Sequence, residues 1–155
     1  MLRSSDLLAL RVSDVINKNG SIKSEVKVRQ KKTGRSTLPL PLSTTSLRAI
    51  TKHLSDKPLN DYIFKGQMYY CTKKPITSQQ YARIVKSWVG NIGVNDVSQY
   101  STHSMRKTKA SVIYMETKDV EACRRLLGQS SVIATSAYLG VTDNSALKLA
   151  KLTMV

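Results

Sequence analysis

Cysteine, histidine, large aromatics and negative charge are all scarce in this chain. Its two cysteines, Cys71 and Cys123, lie far apart, in neither a CxxC nor a zinc spacing. That excludes a disulfide framework and leaves two reduced thiols as the expectation. His53 and His103 are the only histidines, too few for a zinc site of the usual kind. One Phe and one Trp supply little of the stacking surface that single-stranded RNA recognition uses. No apolar run approaches the ~20 residues a membrane-spanning helix needs, and no signal-peptide pattern is visible at the start. Internal repeats and low-complexity segments are also missing.

What the chain has in excess is positive charge. In 155 residues, 25 Lys and Arg stand against 10 Asp and Glu, a net charge of +15. Such a surface attracts polyanions, nucleic acid first and an anionic membrane surface second. Binding of the first kind weakens steeply with salt, because each phosphate contact releases counterions. The apolar and charged fractions, 41% and 23%, are those of a globular protein, and the length suits one domain with a real core.

The patterning predicts an α+β domain, several helices around one small three-stranded antiparallel sheet. Ser4 or Ser5 can cap a first helix with Asp6 in its first turn. A strand is expected over 11–15, ending at the Asn17–Gly20 turn. From Ile22 to Val28 the chain alternates, with Ile22, Val26 and Val28 on one face and Lys23, Glu25 and Lys27 on the other, a half-exposed strand. A turn at Lys31-Lys32-Thr33-Gly34 returns the chain as a third strand over 35–40. Helices follow from Ser43 to about Leu54, and from Thr77 or Ser78 with Tyr81, Ile84, Val85, Trp88 and Val89 at helical spacing. Thr102 can cap the next, and others are expected over 118–127, 132–139 and 143–152.

The residues able to do chemistry sit at the two ends. Arg3 and Asp6 are one helical turn apart, so the carboxylate can reach back to steady a guanidinium able to grip two phosphate oxygens; an i,i+3 surface pair of ~0.2–0.5 kcal/mol is the ordinary alternative. The stretch 23–35 carries six basic residues against Glu25, a cationic ribbon with Lys31 and Lys32 at its tip. Lysines that protect an exposed sheet edge would account for Lys23 and Lys27, less well for the tip. On the helix from His103, about 100° per residue puts His103, Arg106, Lys107 and Ala110 on one face. Met105, Thr108, Val112 and Met115 fall on another, which is assigned to the core. His103 and Arg106 thus project together from a first turn, where free N–H groups favour an anion; a capped surface helix is the bland alternative. Tyr138 follows the Gly128 turn, and a nucleophilic tyrosine needs cationic neighbours, since its free pKa is ~10.

In chain order these residues resemble the C-terminal catalytic domain of the tyrosine recombinase (phage integrase) family. Leu2-Arg3-Ser4-Ser5-Asp6-Leu7-Leu8-Ala9-Leu10 looks like its first-arginine helix. Lys32-Thr33-Gly34 with Leu38-Pro39-Leu40 looks like its hairpin lysine and following strand. Thr102-His103-Ser104-Met105-Arg106-Lys107-Thr108 looks like its HxxR box. Leu126-Leu127-Gly128-Gln129-Ser130-Ser131, then Thr135 and Tyr138-Leu139-Gly140, looks like its box around the nucleophile. Two departures stand out: Gln129 occupies a place where the family usually has His or Trp, and family members carry more chain before the first arginine, so residues 1–155 look like an N-terminally shortened catalytic domain.

The resemblance implies a fold like that of the tyrosine recombinases and type IB topoisomerases. It implies site-specific recombination of double-stranded DNA, integration or excision for a mobile element, with no metal or other cofactor. Tyr138 attacks the phosphate, Arg3 and Arg106 hold its non-bridging oxygens, His103 assists proton transfer and Lys32 protonates the leaving 5′-oxygen. Gln129 adds a hydrogen bond, Asp6 orients the shell, and Lys31, Arg35 and Lys107 contact DNA. The same resemblance implies a bacterial or phage-borne protein of the cytoplasm, associated with the nucleoid. It also implies self-association on DNA through the 143–152 tail. The competing expectation is a DNA-binding remnant without catalysis, and packing of the tail on its own domain is the alternative for that helix.

Overall fold

The computed structural model of the chain describes residues 1–55, 57–66 and 73–152. They form two compact units, one from Leu2 to Ser104 and one, with Met1, from Met105 onward.

The first unit begins with helix α1 (Ser4–Leu8), whose N-cap is Arg3, without a side-chain cap from Ser4 or Ser5. Of residues 11–15, expected as a strand, Arg11 alone is extended, in a single antiparallel bridge with Tyr62, and the rest are helical: α2 is Val12–Val15. The Asp14 carboxylate accepts a hydrogen bond from Arg11 N at 2.7 Å, fixing the first turn as a helix start. The N–H groups of Val12 and Ser13 donate to Asp61 O and Leu59 O, so the 59–62 segment satisfies them through one bridge and no longer ladder forms.

The sheet is correspondingly smaller than expected, two strands and not three. Strand β1 (Glu25–Val26) pairs antiparallel with β2 (Leu40–Pro41), Val26 opposite Leu40. Beyond that pair the hairpin continues only as one isolated bridge, Arg29 with Ser36. The interruption has a local cause. Val28 N donates to the Thr37 hydroxyl at 3.0 Å, so a side chain stands where a ladder carbonyl would be. Pro39 and Pro41 bring no N–H to the ladder at all.

Helix α3 (Thr44–Leu54) is capped by Ser43 and α4 (Ser78–Asn91) by Thr77, each side chain accepting from the backbone N–H three residues on. The core of this unit is one cluster of Leu10, Val12, Val15, Val26, Leu54 and Ile63. Val85 and Val89 are the buried residues of α4. Burying such side chains is worth roughly 1.5–3 kcal/mol each, which anchors the short α1–α2 segment and with it Arg3 and Asp6.

The domain boundary falls in the first turn of α5 (Thr102–Thr117). Ser101, not Thr102, occupies the cap: its hydroxyl accepts from His103 N at 3.3 Å, while the Ser104 hydroxyl accepts from Ser101 N at 3.0 Å. The face assigned to the core is open instead, with Met105, Val112 and Met115 at 45%, 47% and 69% exposure, and Ala110 is fully buried. Ala110 lies where α6 (Val120–Leu127) comes close, its carbonyl 3.5 Å from the buried Cys123 Sγ. A small residue permits that approach and a methionine would not. Cys123 is a free thiol; Cys71 lies outside the described residues.

Asp119 caps α6 and Ser131 caps α7 (Val132–Leu139). Gly128 and Gly140 end the two helices in the left-handed region, at φ 62° and 78°, which glycine adopts without a Cβ penalty. Helix α8 (Asp143–Leu152) follows, with Leu147 and Leu152 exposed. Among the described residues no helix is long and apolar enough to cross a membrane.

Candidate nucleic-acid active site

In the first unit, Arg3 and the basic hairpin turn are tied together by a residue that patterning does not mark. Gln30 is buried at 5% exposure. Its Oε1 accepts from Arg3 Nη1 at 2.6 Å and from the Thr33 hydroxyl at 2.8 Å. The turn is closed by Gly34 N donating to Gln30 O and Gln30 N to Arg35 O, both at 2.8 Å. Gly34 takes φ 68°, so the Lys-Thr-Gly order supplies the one residue this turn requires.

Asp6 makes the second tie. It is buried, and its Oδ1 accepts from Lys31 N at 2.9 Å. Among the described residues Asp6 Oδ2 has no hydrogen-bond partner. The expected Arg3–Asp6 pair is therefore replaced by a division of labour. Gln30 holds the guanidinium and Asp6 holds the turn backbone. Lys31, Lys32 and Arg35 are exposed.

His103 is exposed and Arg106 half-buried, one turn apart at the start of α5. In the second unit Arg106 Nη2 donates to Leu127 O, a carbonyl at the end of α6, so the guanidinium is docked beside the Gly128 turn. Its charge acts on Tyr138. Burial pushes the Tyr138 phenol above its ordinary value, and the Arg106 guanidinium opposes that shift. Lys107 Nζ lies 5.9 Å from the centre of the Tyr138 ring, at the outer limit of a cation–π contact.

Gln129 is held at several points. Its N–H donates to Arg124 O at 3.0 Å, closing the end of α6. Its carbonyl accepts from Arg124 Nη1 at 2.7 Å. Its side-chain Oε1 accepts from the Thr135 hydroxyl at 2.6 Å. Arg124 is itself gripped through Nε and Nη2 by both oxygens of Glu121 at 2.6 and 2.7 Å. Hydrogen bonds from Arg124 and then Arg125 hold the Glu121 carboxyl down at about 2.

The structure thus gathers Arg3, Asp6 and the Lys31–Arg35 turn in one unit, and Arg106, Lys107, Gln129 and Tyr138 in the other, with His103 on the helix that runs from the first into the second. Sequence reasoning missed Gln30, Thr33, Glu121 and Arg124, and it gave Thr135 no role. The available signals were weak: Gln30 immediately precedes the basic turn, and Thr135 falls one turn inside the helix after Gln129.

The profile of the "Phage integrase family" matches residues 1–145. The chain is 33% identical over 144 residues to the probable integrase/recombinase YoeC of Bacillus subtilis, covering 93% of this chain and 73% of that protein. It is 28% identical over 149 residues to the tyrosine recombinase XerH of Campylobacter jejuni, covering 91% of this chain and 40% of that one. Among solved structures, XerA recombinase superposes with a TM-score of 0.71 at 19% identity, over 97% of this chain and 53% of the other. XerH bound to its difH substrate after cleavage gives 0.71 at 18%, over 96% and 41%. The chain therefore spans about half the length of most of these relatives. With nine-tenths of its length matched by one profile and its fold shared with these recombinases, the chain belongs to the phage integrase family of tyrosine recombinases.

Proposed function

We propose that this chain is the catalytic domain of a site-specific DNA recombinase that breaks and rejoins double-stranded DNA through a 3′-phosphotyrosyl link on Tyr138. The observation that supports it most is the setting of Tyr138, a half-buried phenol with Lys107 Nζ 5.9 Å from its ring centre, in the same unit in which Arg106 is docked on Leu127 O beside the Gly128 turn. The Tyr138 oxygen attacks phosphorus, the bond from phosphorus to the 5′-oxygen breaks, and the phenol proton leaves with help from His103. Lys32 gives a proton to the departing oxygen. Arg3 and Arg106 bind the non-bridging oxygens, whose charge grows in the transition state. Asp6 fixes the turn bearing Lys32, and Lys31, Arg35 and Lys107 contact neighbouring phosphates. The ester energy kept in the tyrosyl link lets a 5′-hydroxyl from another strand reverse the step. Self-association on DNA is assigned to α8, whose Leu147 and Leu152 are exposed.

The test is covalent trapping on a pool of nicked duplexes of randomised sequence, resolved on a denaturing gel. A shifted band is expected with the natural chain and none with Tyr138→Phe. A band of equal strength with phenylalanine at 138 would refute the assignment. Gln129, which cannot shuttle a proton, favours the second reading, a DNA-binding remnant. Its signature is salt-sensitive DNA binding with no covalent band from either protein.

A further inference from the structure

We propose that Thr135 is a positioning residue that fixes Gln129 as a hydrogen-bond donor, so that its amide nitrogen faces the DNA phosphate; this rests on the catalytic reading above. A glutamine side chain presents an acceptor at one end of its amide and a donor at the other, and only the donor end helps an anion. Left to rotate, Gln129 would offer both. Here one choice is enforced from behind.

Thr135 is fully buried at 0% exposure, with its hydroxyl 2.6 Å from Gln129 Oε1 and 2.8 Å from Ser131 O. A hydroxyl has one proton, and these two oxygens compete for it. Given to Gln129, the proton occupies Oε1 and leaves Nε2 as the outward atom. Given to Ser131 alone, it lets the amide turn over, with Nε2 bonded to the threonine and Oε1 facing out. That second arrangement repels a phosphate. The shorter contact is to Gln129, and Ser131 O also receives Thr135 N at 3.2 Å, so the carbonyl is not orphaned when the hydroxyl proton goes elsewhere.

The rest of the residue is equally constrained. Arg124 takes both the N–H and the carbonyl of Gln129, and Glu121 locks Arg124. Among the described residues Gln129 Nε2 has no hydrogen-bond partner, and the side chain is half-exposed. A polar group pinned at every point except one donor is preorganised for an acceptor that arrives from outside. A histidine there could exchange a proton. A clamped glutamine keeps one sense of hydrogen bonding at every pH and contributes charge stabilisation only.

The experiment compares Thr135→Val, Thr135→Ser and the natural chain in two readouts. In single-turnover trapping on nicked duplexes, Thr135→Val is expected to slow adduct formation about tenfold, the equivalent of one oriented hydrogen bond. Thr135→Ser, which keeps the hydroxyl, restores the rate. In ¹⁵N–¹H spectra, a short duplex of arbitrary sequence is expected to shift the Gln129 side-chain amide signal in the natural chain and the serine variant, but much less in the valine variant. An unmoved Gln129 signal in the natural chain, or equal shifts in all three proteins, would overturn the proposal. The spectral readout requires no cleavage. A chain that forms no adduct yet shows the expected shifts keeps the clamp and loses only the catalytic reading. Should valine at 135 prevent folding, the near-isosteric pair Gln129→Met and Gln129→Glu carries the test. With Thr135 holding one oxygen, the glutamate turns its other oxygen to the phosphate, so it must fall at least tenfold below methionine in adduct formation. A rate equal to that of the natural chain in both variants would refute the donor role.

Discussion

Replacing Gln30 by leucine tests whether Arg3 is held by a designed acceptor or merely lies near one. Leucine matches glutamine closely in volume, so the buried position stays filled, and the main-chain bonds that close the turn are untouched. The change removes one atom that matters, Oε1, which accepts from Arg3 Nη1 at 2.6 Å and from Thr33 at 2.8 Å. A hydrogen bond to a charged group is worth about 1.5–3 kcal/mol. Arg3 is half-exposed, so water replaces part of that, and the buried leucine returns some stability through its apolar surface. The net loss of folding stability is therefore small, about 1 kcal/mol or less. Function responds more strongly, because a guanidinium free to swing must be re-ordered for every turnover. Recovering about 1.4–2 kcal/mol of orientation corresponds to a ten- to thirtyfold slower reaction. Urea melts combined with single-turnover adduct formation on nicked duplexes measure both quantities. In an Arg3→Ala background Gln30→Leu should add nothing, since the group it orients is gone. A rate equal to that of the natural chain, or full additivity with Arg3→Ala, would refute the reasoning.

Three other expectations follow from the same geometry. Asp6→Ala should cost about 1–2 kcal/mol by orphaning Lys31 N, whereas Asp6→Asn should leave stability within about 1 kcal/mol, because it keeps an acceptor oxygen and leaves no buried carboxylate oxygen unpaired; in chemical denaturation, a loss for Asp6→Asn as large as that for Asp6→Ala would show that the carboxylate charge itself is needed. Glu121 ionises near 2 in the folded chain against ~4.3 when unfolded. Its contribution to stability is present above the unfolded value and is lost as pH falls from about 4.5 towards 2; Glu121→Gln should flatten the acid limb of the melting profile in that window, and an unchanged limb would count against the Glu121–Arg124 lock. Burial, aided by Asp119, raises the Cys123 thiol above its ordinary value. In a Cys71→Ser background, alkylation of Cys123 should therefore be slow in native buffer and rise steeply with urea as the unit opens; prompt labelling without denaturant would contradict its burial.

The sequence by itself determined which residues the chemistry has available and where most helices begin. Ser43, Thr77, Asp119 and Ser131 cap their helices by the local rule that short polar side chains accept from the N–H groups of the first turn. Gly34 and Gly128 sit where a positive φ is required. Arg3, Lys32, His103, Arg106, Gln129 and Tyr138 could be proposed as a site because the sequence boxes that carry them resemble those of one family in the same order. Tertiary structure alone decided the partners. Residues 11–15 read as a strand, yet only Arg11 bridges, to Tyr62; the 59–61 loop offers carbonyls to Val12 and Ser13 and Asp14 caps the turn, so residues 12–15 coil. The strand expected over 35–40 was cut to its last residue, Leu40, with Pro41, because the Thr37 hydroxyl intrudes on the ladder before it. The inner face of α5 was inverted because a helix buries the side it can bring closest to its neighbour, and that side carries Ala110 rather than the larger methionines. Gln30 and Thr135 illustrate the same limit. Each is an ordinary polar residue until folding buries it 27 residues from Arg3 in one case and six from Gln129 in the other. A hydrogen bond between distant positions depends on packing, which no local pattern encodes.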